Sequence, residues 1–347
     1  MNTADRSART PAQRLGPGVE FLAGVTLLAT LTAGTATLDA ADMVEVRGLL
    51  DRMVRASRSL DYVGTFVYRN GSTMQSMKII HRADVGGSRE RLVSLSGAAR
   101  EVIRDGAMVT CIFPDDGIVV VAKRQSGGLY PSSVFEPEIV IGDDIVEFYS
   151  LSAGGTDRVA DRKANVIDVR PKDRYRYGYR LAVDHETGLL LKSELLDNGM
   201  TALEQIVYTH LDLPESIPDE ALEPGISHAG FTRYEADAGE GGQGGSAHRA
   251  QEWTIGWLPP GFRMSDASYG PIQPGRDPVD HRVYSDGLAS LSIFIEPGFD
   301  AGNRHEGLSS VGAVNAFGRI VDEYQVSVVG EVPGITVEKV AASIVKQ

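Results

Sequence analysis

Histidine, cysteine, serine and paired carboxylates are the residue types in this chain that could do chemistry, and their spacing argues against most of it. The seven histidines are dispersed, with no H-E-x-x-H and no closely spaced Cys/His set, so neither structural nor catalytic zinc has support. Serine, histidine and aspartate are plentiful, but G-x-S-x-G is absent, and a hydrolytic triad cannot be inferred from residue types alone. The single cysteine, Cys111, lies in the apolar run Met108 to Phe113; with no His or Lys beside it to lower its pKa, it reads as a buried, inert thiol. Asp115-Asp116 and Asp143-Asp144 adjoin glycines and read as loop acids. Gly239, Gly241 and Gly244 satisfy G-x-G-x-x-G, but the strand and helix that should flank a dinucleotide site are missing. The expectation is a protein that is not an enzyme, with no catalytic residue, cofactor or metal.

Binding is the chemistry that remains. In Arg174-Tyr-Arg-Tyr-Gly-Tyr-Arg-Leu-Ala-Val183 a period of two sets Tyr175, Tyr177, Tyr179, Leu181 and Val183 on one face of a strand and Arg174, Arg176 and Arg180 on the other. An exposed basic face is common, but these arginines could also hold phosphate or carboxylate groups of an amphiphile whose chain lies on the tyrosine side. Trp253, Trp257, Pro259, Pro260 and Phe262 cluster in a second candidate region. They serve either to anchor a core or as part of a partner surface. Trp257 and Pro259, with Arg282 and Tyr284 beside the Ser285 turn, are the candidate partner-binding residues.

The elements that position these residues follow from periodicity. Three arginines (Arg6, Arg9, Arg14) precede an uncharged run from Phe21 to Ala36, the order of a secretory signal peptide; the run is diluted by threonines and short of the roughly 20 apolar residues of a membrane span. Residues 1–41 are therefore expected to be a leader. From Asp42 to Ser59, Met43, Val46, Leu50, Met53 and Val54 recur at helical steps behind an Asp42 cap. Short strands follow, joined first at Asn70-Gly71, a hairpin signal. A meander of this length must curl, and one helix leaves its concave aromatic face only partly filled. The fold class is mainly β (α+β). It comprises a half-open antiparallel β-barrel with a helix over residues 42–224, a glycine-rich flexible linker over 225–249, and a small antiparallel sheet with one helix, opened at Pro333, over 250–347. One cysteine excludes an intrachain disulfide, and a formal net charge of −13 argues against nucleic acid as a partner.

Seven ordered segments resemble the MucB/RseB family of periplasmic regulators of the envelope-stress sigma factor. They are R-E-V-I-R-D-G from Arg100, R-V-A-D-R from Arg158, D-H-E-T-G-L-L-L-K-S-E-L-L-D from Asp184, L-E-Q-I-V-Y from Leu203, W-L-P-P-G-F from Trp257, R-V-Y-S-D-G-L from Arg282 and V-V-G-E-V-P from Val328. The resemblance implies an N-terminal domain similar to Lol-type lipoprotein carriers. It also implies a periplasmic protein that binds the periplasmic region of a transmembrane anti-sigma factor and shields it from proteolysis until a lipid-like signal releases it. The partners so implied are the anti-sigma factor and an amphiphile such as lipopolysaccharide or lipoprotein acyl chains, with self-association into a homo-oligomer as a further expectation. Asp115 to Gly155 departs from the family pattern. A lipid or lipoprotein carrier is the competing reading, and an exported hydrolase the third.

Overall fold

The computed structural model describes residues 40–85, 87–123, 145–236, 252–271, 277–297 and 305–347. The expected leader, the paired acids Asp143-Asp144 and the glycine tract from Gly239 to Gly245 lie outside the described residues. No helix among those residues is long and apolar enough to cross a membrane.

Helix α1 (Ala40–Ser59) forms where the helical period was read. Its buried positions Val46, Leu50, Met53 and Ala56 follow one another at steps of four, three and three, which places them on one face. After it come β1 (Tyr62–Asn70), β2 (Thr73–Asp84), β3 (Gly87–Ser94), β4 (Glu101–Asp105), β5 (Met108–Phe113) and β6 (Ile118–Lys123). A one-turn helix, α2 (Ile145–Phe148), then leads into β7 (Tyr149–Val159), β8 (Arg162–Pro171), β9 (Gly178–Asp184), β10 (Leu190–Leu196), β11 (Ala202–Asp212) and β12 (Thr232–Ala236). These strands make one sheet in the order β12-β6-β5-β4-β3-β2-β1-β11-β10-β9-β8-β7. Every pairing is antiparallel except β12 with β6. The Asn70-Gly71 turn is as expected, with Gly71 at φ 56°. The β7–β8 hairpin had no such signal, because its turn residues with positive φ are Ala160 and Asp161.

The sheet is a half-open barrel, and among the described residues α1 fills its concave face more fully than the expected hollow implies. Val46, Leu50 and Met53 pack on Leu151, Ile167, Val169, Leu181 and Val183, and Ala56 joins Tyr62, Phe66, Met77, Ile79 and Tyr208. A helix of 20 residues is long enough to cover both clusters. Among the described residues one cleft of about 40 Å³ lies beside Met53, Tyr62, Ile206 and Tyr208, and one of about 10 Å³ beside Leu50, Tyr179, Leu181 and Leu288. The larger has room for a few waters and is far below the roughly 300 Å³ of a small-ligand site.

Two further corrections concern chain segments. Tyr175 to Tyr177 do not belong to a strand: β9 starts only at Gly178, so the alternation begins later than the sequence pattern does. Part of the expected linker is ordered on the sheet. Ile226 and Phe231 pack against Ile112, Val119 and Val121, and β12 then pairs with β6. This strap is held by a row of arginines. Arg82 donates to the Ile217 carbonyl and Arg91 to that of Ala221, while Arg89 reaches Asp219 and Glu223. The buried Glu101 accepts from the backbone N–H groups of Gly225 and Ile226 at 3.0–3.1 Å and pairs with Arg91.

The C-terminal half has its own core. Strands β14 (Arg263–Pro271), β15 (Pro278–Ser285), β16 (Ser290–Pro297), β17 (Gly307–Val311), β18 (Val314–Val321) and β19 (Tyr324–Gly330) form a sheet ordered β14-β15-β16-β19-β18-β17. Helix α3 (Gly334–Ser343) lays Val337, Val340 and Ala341 on Leu291, Ile293, Ile295, Val326 and Val328, with Trp253 and Phe262 completing the cluster. Strand β13 (Trp253–Ile255) pairs with the last strand, β20 (Ile344–Lys346), which ties the entry of this half to its end.

Glu101→Ala would leave Arg91 and two backbone N–H groups without their acceptor. Hydrogen exchange is expected to show lost protection over Thr232–Ala236 while β15, β16 and β19 are unchanged. Unchanged protection of Thr232–Ala236 would show that the Glu101 contacts do not hold the strap.

Candidate functional site

The two sheets meet along one seam, and the segment from Asp173 to Tyr179 runs through it. Arg176 is its centre. The bend that breaks the strand alternation turns this side chain toward the C-terminal half, where it is 0 % exposed. Its Nη1 meets Asp286 Oδ2 at 2.5 Å, Nη2 donates to the Pro260 carbonyl at 2.6 Å, and Asp173 pairs with it at 3.1 Å. Phe148, Tyr149 and Phe262 surround the guanidinium at 5.0–5.4 Å from their ring centroids, within cation–π range. The Tyr149 hydroxyl donates to Asp286 at 3.0 Å; burial, and then the Asp286 charge, raise its pKa well above the ordinary value, so it stays a donor.

Asp286 is held from its own side too. Its Oδ1 accepts the N–H groups of Leu288 and Ala289 at 2.9 and 2.8 Å, which shapes the β15–β16 turn. That turn carries Leu288 onto the N-terminal core, and the Tyr179 hydroxyl donates to the Leu288 carbonyl at 3.3 Å. Burial raises the Tyr179 pKa. Next along the seam, the Asn315 amide donates to the Tyr177 hydroxyl at 3.0 Å, and Tyr177 packs with Leu195 and Ala313. Two glycines permit the closeness. A Cβ on Gly261 (φ 87°) would strike Phe148, and one on Gly312 (φ 61°) would strike Asn70.

Tyr175 ends the row. Its carbonyl accepts from the Thr336 hydroxyl at 2.7 Å, its ring meets Trp257 edge-on at 4.9 Å, and its hydroxyl accepts from Lys339 at 3.1 Å. The structure therefore brings Tyr175, Tyr177, Tyr179, Arg176 and Trp257 together at the junction of the two halves, not on an open concave face. The other candidates lie elsewhere. Arg180 is held bidentately by Asp168 at 2.7 and 3.3 Å, and Arg174 is exposed. Pro259 is buried in the turn before Phe262. Arg282 and Tyr284 are buried, and Arg282 is forked onto Asp280 at 3.0 and 2.7 Å. These last three are buried in this arrangement: Tyr284 packs in the core beneath α3, and Arg282 also donates to the Trp253 carbonyl. Sequence reasoning missed Asp286, Tyr149, Asn315 and Lys339. Asp286 stood in a recognisable turn, Ser285-Asp286-Gly287, but nothing in sequence links it to an arginine 110 positions away.

Models of two family domains match the chain: the MucB/RseB N-terminal domain over residues 45–226 and the MucB/RseB C-terminal domain over 247–345. The chain belongs to the MucB/RseB family. A curated relative, the sigma factor AlgU regulatory protein MucB of Pseudomonas aeruginosa, is 35% identical over 326 residues, covering 92% of this chain and 95% of that protein. The sigma-E factor regulatory protein RseB of Escherichia coli strain K12 is 26% identical over 308 residues, 85% of this chain and 89% of its own length. Among solved structures, the Pseudomonas aeruginosa MucA/MucB complex contains a chain that matches with a TM-score of 0.65 at 32% identity. The match covers 87% of this chain and 99% of that one. Family membership makes this a regulatory binding protein by class.

Removing one partner of a buried ion pair leaves the other uncompensated. Arg176→Ala is expected to lower the unfolding free energy in urea by about 3–5 kcal/mol. Combining it with Asp286→Ala should cost clearly less than the sum of the two single changes. Additive losses would show that the pair is not coupled.

Proposed function

We propose that this chain is a periplasmic regulator that binds the periplasmic region of a membrane-spanning anti-sigma factor, shields it from regulated proteolysis and is released by a lipid-like signal of envelope stress. The observation that carries this reading is the similarity, over both halves of the chain, to MucB as solved with MucA(peri) at 32% identity and a TM-score of 0.65. Residues 1–41 act as the leader that exports it, and residues 42–224 and 250–347 are its two domains.

The seam gives the reading a physical form. A partner that touches both halves recognises their arrangement, and that arrangement depends on the contacts of Arg176, Tyr177 and Tyr179. An amphiphile alters partner binding only by favouring a different arrangement. The two clefts described are too small for an acyl chain, so a lipid signal entering at either would displace Leu288 or α1. The same smallness argues against a carrier, which needs space for its cargo.

Co-purification with a single-span anti-sigma factor, followed by proteolysis of that factor's periplasmic region with and without added lipopolysaccharide, tests this. The expected outcome is that cleavage is slowed several-fold by the protein and that lipid restores it. Equal cleavage with and without the protein contradicts the reading.

A further inference from the structure

We propose that Arg174 and Lys339 form a binding spot for a carboxylate side chain of an acidic peptide segment, at the outer edge of the seam. The proposal rests on the regulator reading above and specifies the chemistry of its partner.

Arg174 comes from the bend before β9 and Lys339 from α3, and both are exposed. They meet at the Tyr175 side chain. Lys339 Nζ donates to the Tyr175 hydroxyl at 3.1 Å, and Arg174 stands 5.6 Å from the same ring. The hydrogen bonds from Lys339 and then from Arg174 lower the pKa of that phenol, as expected where positive potential collects. Lys339 also lies 3.9 Å from the centroid of Trp257 and 4.9 Å from that of Tyr175, so the two rings fix its position.

Among the described residues neither cation has a carboxylate partner. Asp173, the nearest acid in sequence to Arg174, is bound to Arg176 and to the Tyr175 N–H. Elsewhere Arg82, Arg89, Arg91, Arg104 and Arg162 are paired with carboxylates, while Arg52, Arg69 and Arg319 donate to backbone carbonyls instead. In a chain of net charge −13, two exposed cations that meet at one tyrosine from different elements make a local positive spot suited to an anion.

A peptide carboxylate fits better than a lipid headgroup. Neither Tyr175, Trp257 nor Lys339 lines either cleft, whereas a lipid headgroup calls for an apolar groove beside it for its chain. One cation and one ring come from each half, so an acidic segment bound here would also clasp the seam.

The test measures binding of the full chain to the periplasmic region of a MucA-type anti-sigma factor, in its natural form and in a form with each Asp and Glu replaced by Asn and Gln. The natural form should bind about tenfold more tightly at low salt, and the difference should shrink as salt screens it. Arg174→Gln with Lys339→Gln should abolish that preference while the protein still melts in one cooperative transition. Equal binding of both forms, or an unchanged preference in the double variant, overturns the carboxylate spot and leaves the regulator reading standing. Binding of neither form overturns both. Binding of phosphatidylglycerol vesicles that depends on the two cations, with no peptide preference, would assign the spot to a lipid and overturn the proposal.

Discussion

The relation between the two halves of this protein depends on one buried charge pair. Arg176 and Asp286 are both sealed from solvent, where an unpaired charge is costly, and each is given several further partners that offset its desolvation. The arginine comes from a bend next to β9 and the aspartate from the β15–β16 turn. The pair therefore forms only when the N-terminal barrel and the C-terminal sheet are docked. Apolar contacts at the seam are few by comparison, with Leu288 on one side and the Tyr177, Leu195 and Ala313 group on the other. A hydrophobic seam tolerates small slips, whereas a buried ion pair whose remaining donors and acceptors are all engaged, surrounded by three rings, accepts one geometry.

This arrangement also links the interior of the barrel to its docking partner. Leu288 touches the N-terminal core from outside while α1 covers it from within, and the space between them is about 10 Å³. Anything apolar that enters from the Leu288 end must push on the turn that Asp286 organises. Under the proposed function, occupancy of the barrel would compete with integrity of the seam, the bistability that a regulated binding protein requires.

The sequence was legible where local pattern decides structure. The α1 face, the Asn70-Gly71 hairpin, the Cys111 strand and the closing helix after Pro333 all follow from spacing and turn chemistry over a few residues. It was illegible where distant residues decide. Arg174 to Tyr179 alternates like a strand, yet docking against a second sheet bends it at Arg176, and no local signal reports a partner so far along the chain. The β7–β8 hairpin turns on Ala160 and Asp161, residues without a turn signature. The expected hollow failed for a related reason: periodicity showed that α1 has an apolar face but not that it would fill the barrel. Trp257 was recognised as a junction residue, but its companions Tyr175 and Lys339 are assembled only by the fold.

The most direct measurement is native-state hydrogen exchange at the amides of Leu288 and Ala289, which donate to the Asp286 carboxylate. If docking through Arg176 and Asp286 orders this turn, both amides will exchange only through large-scale opening, at rates close to those of the core strand β16. Rapid exchange at Leu288 and Ala289 while β16 stays protected would mean that the turn is free of the barrel and that the buried pair does not hold the halves together.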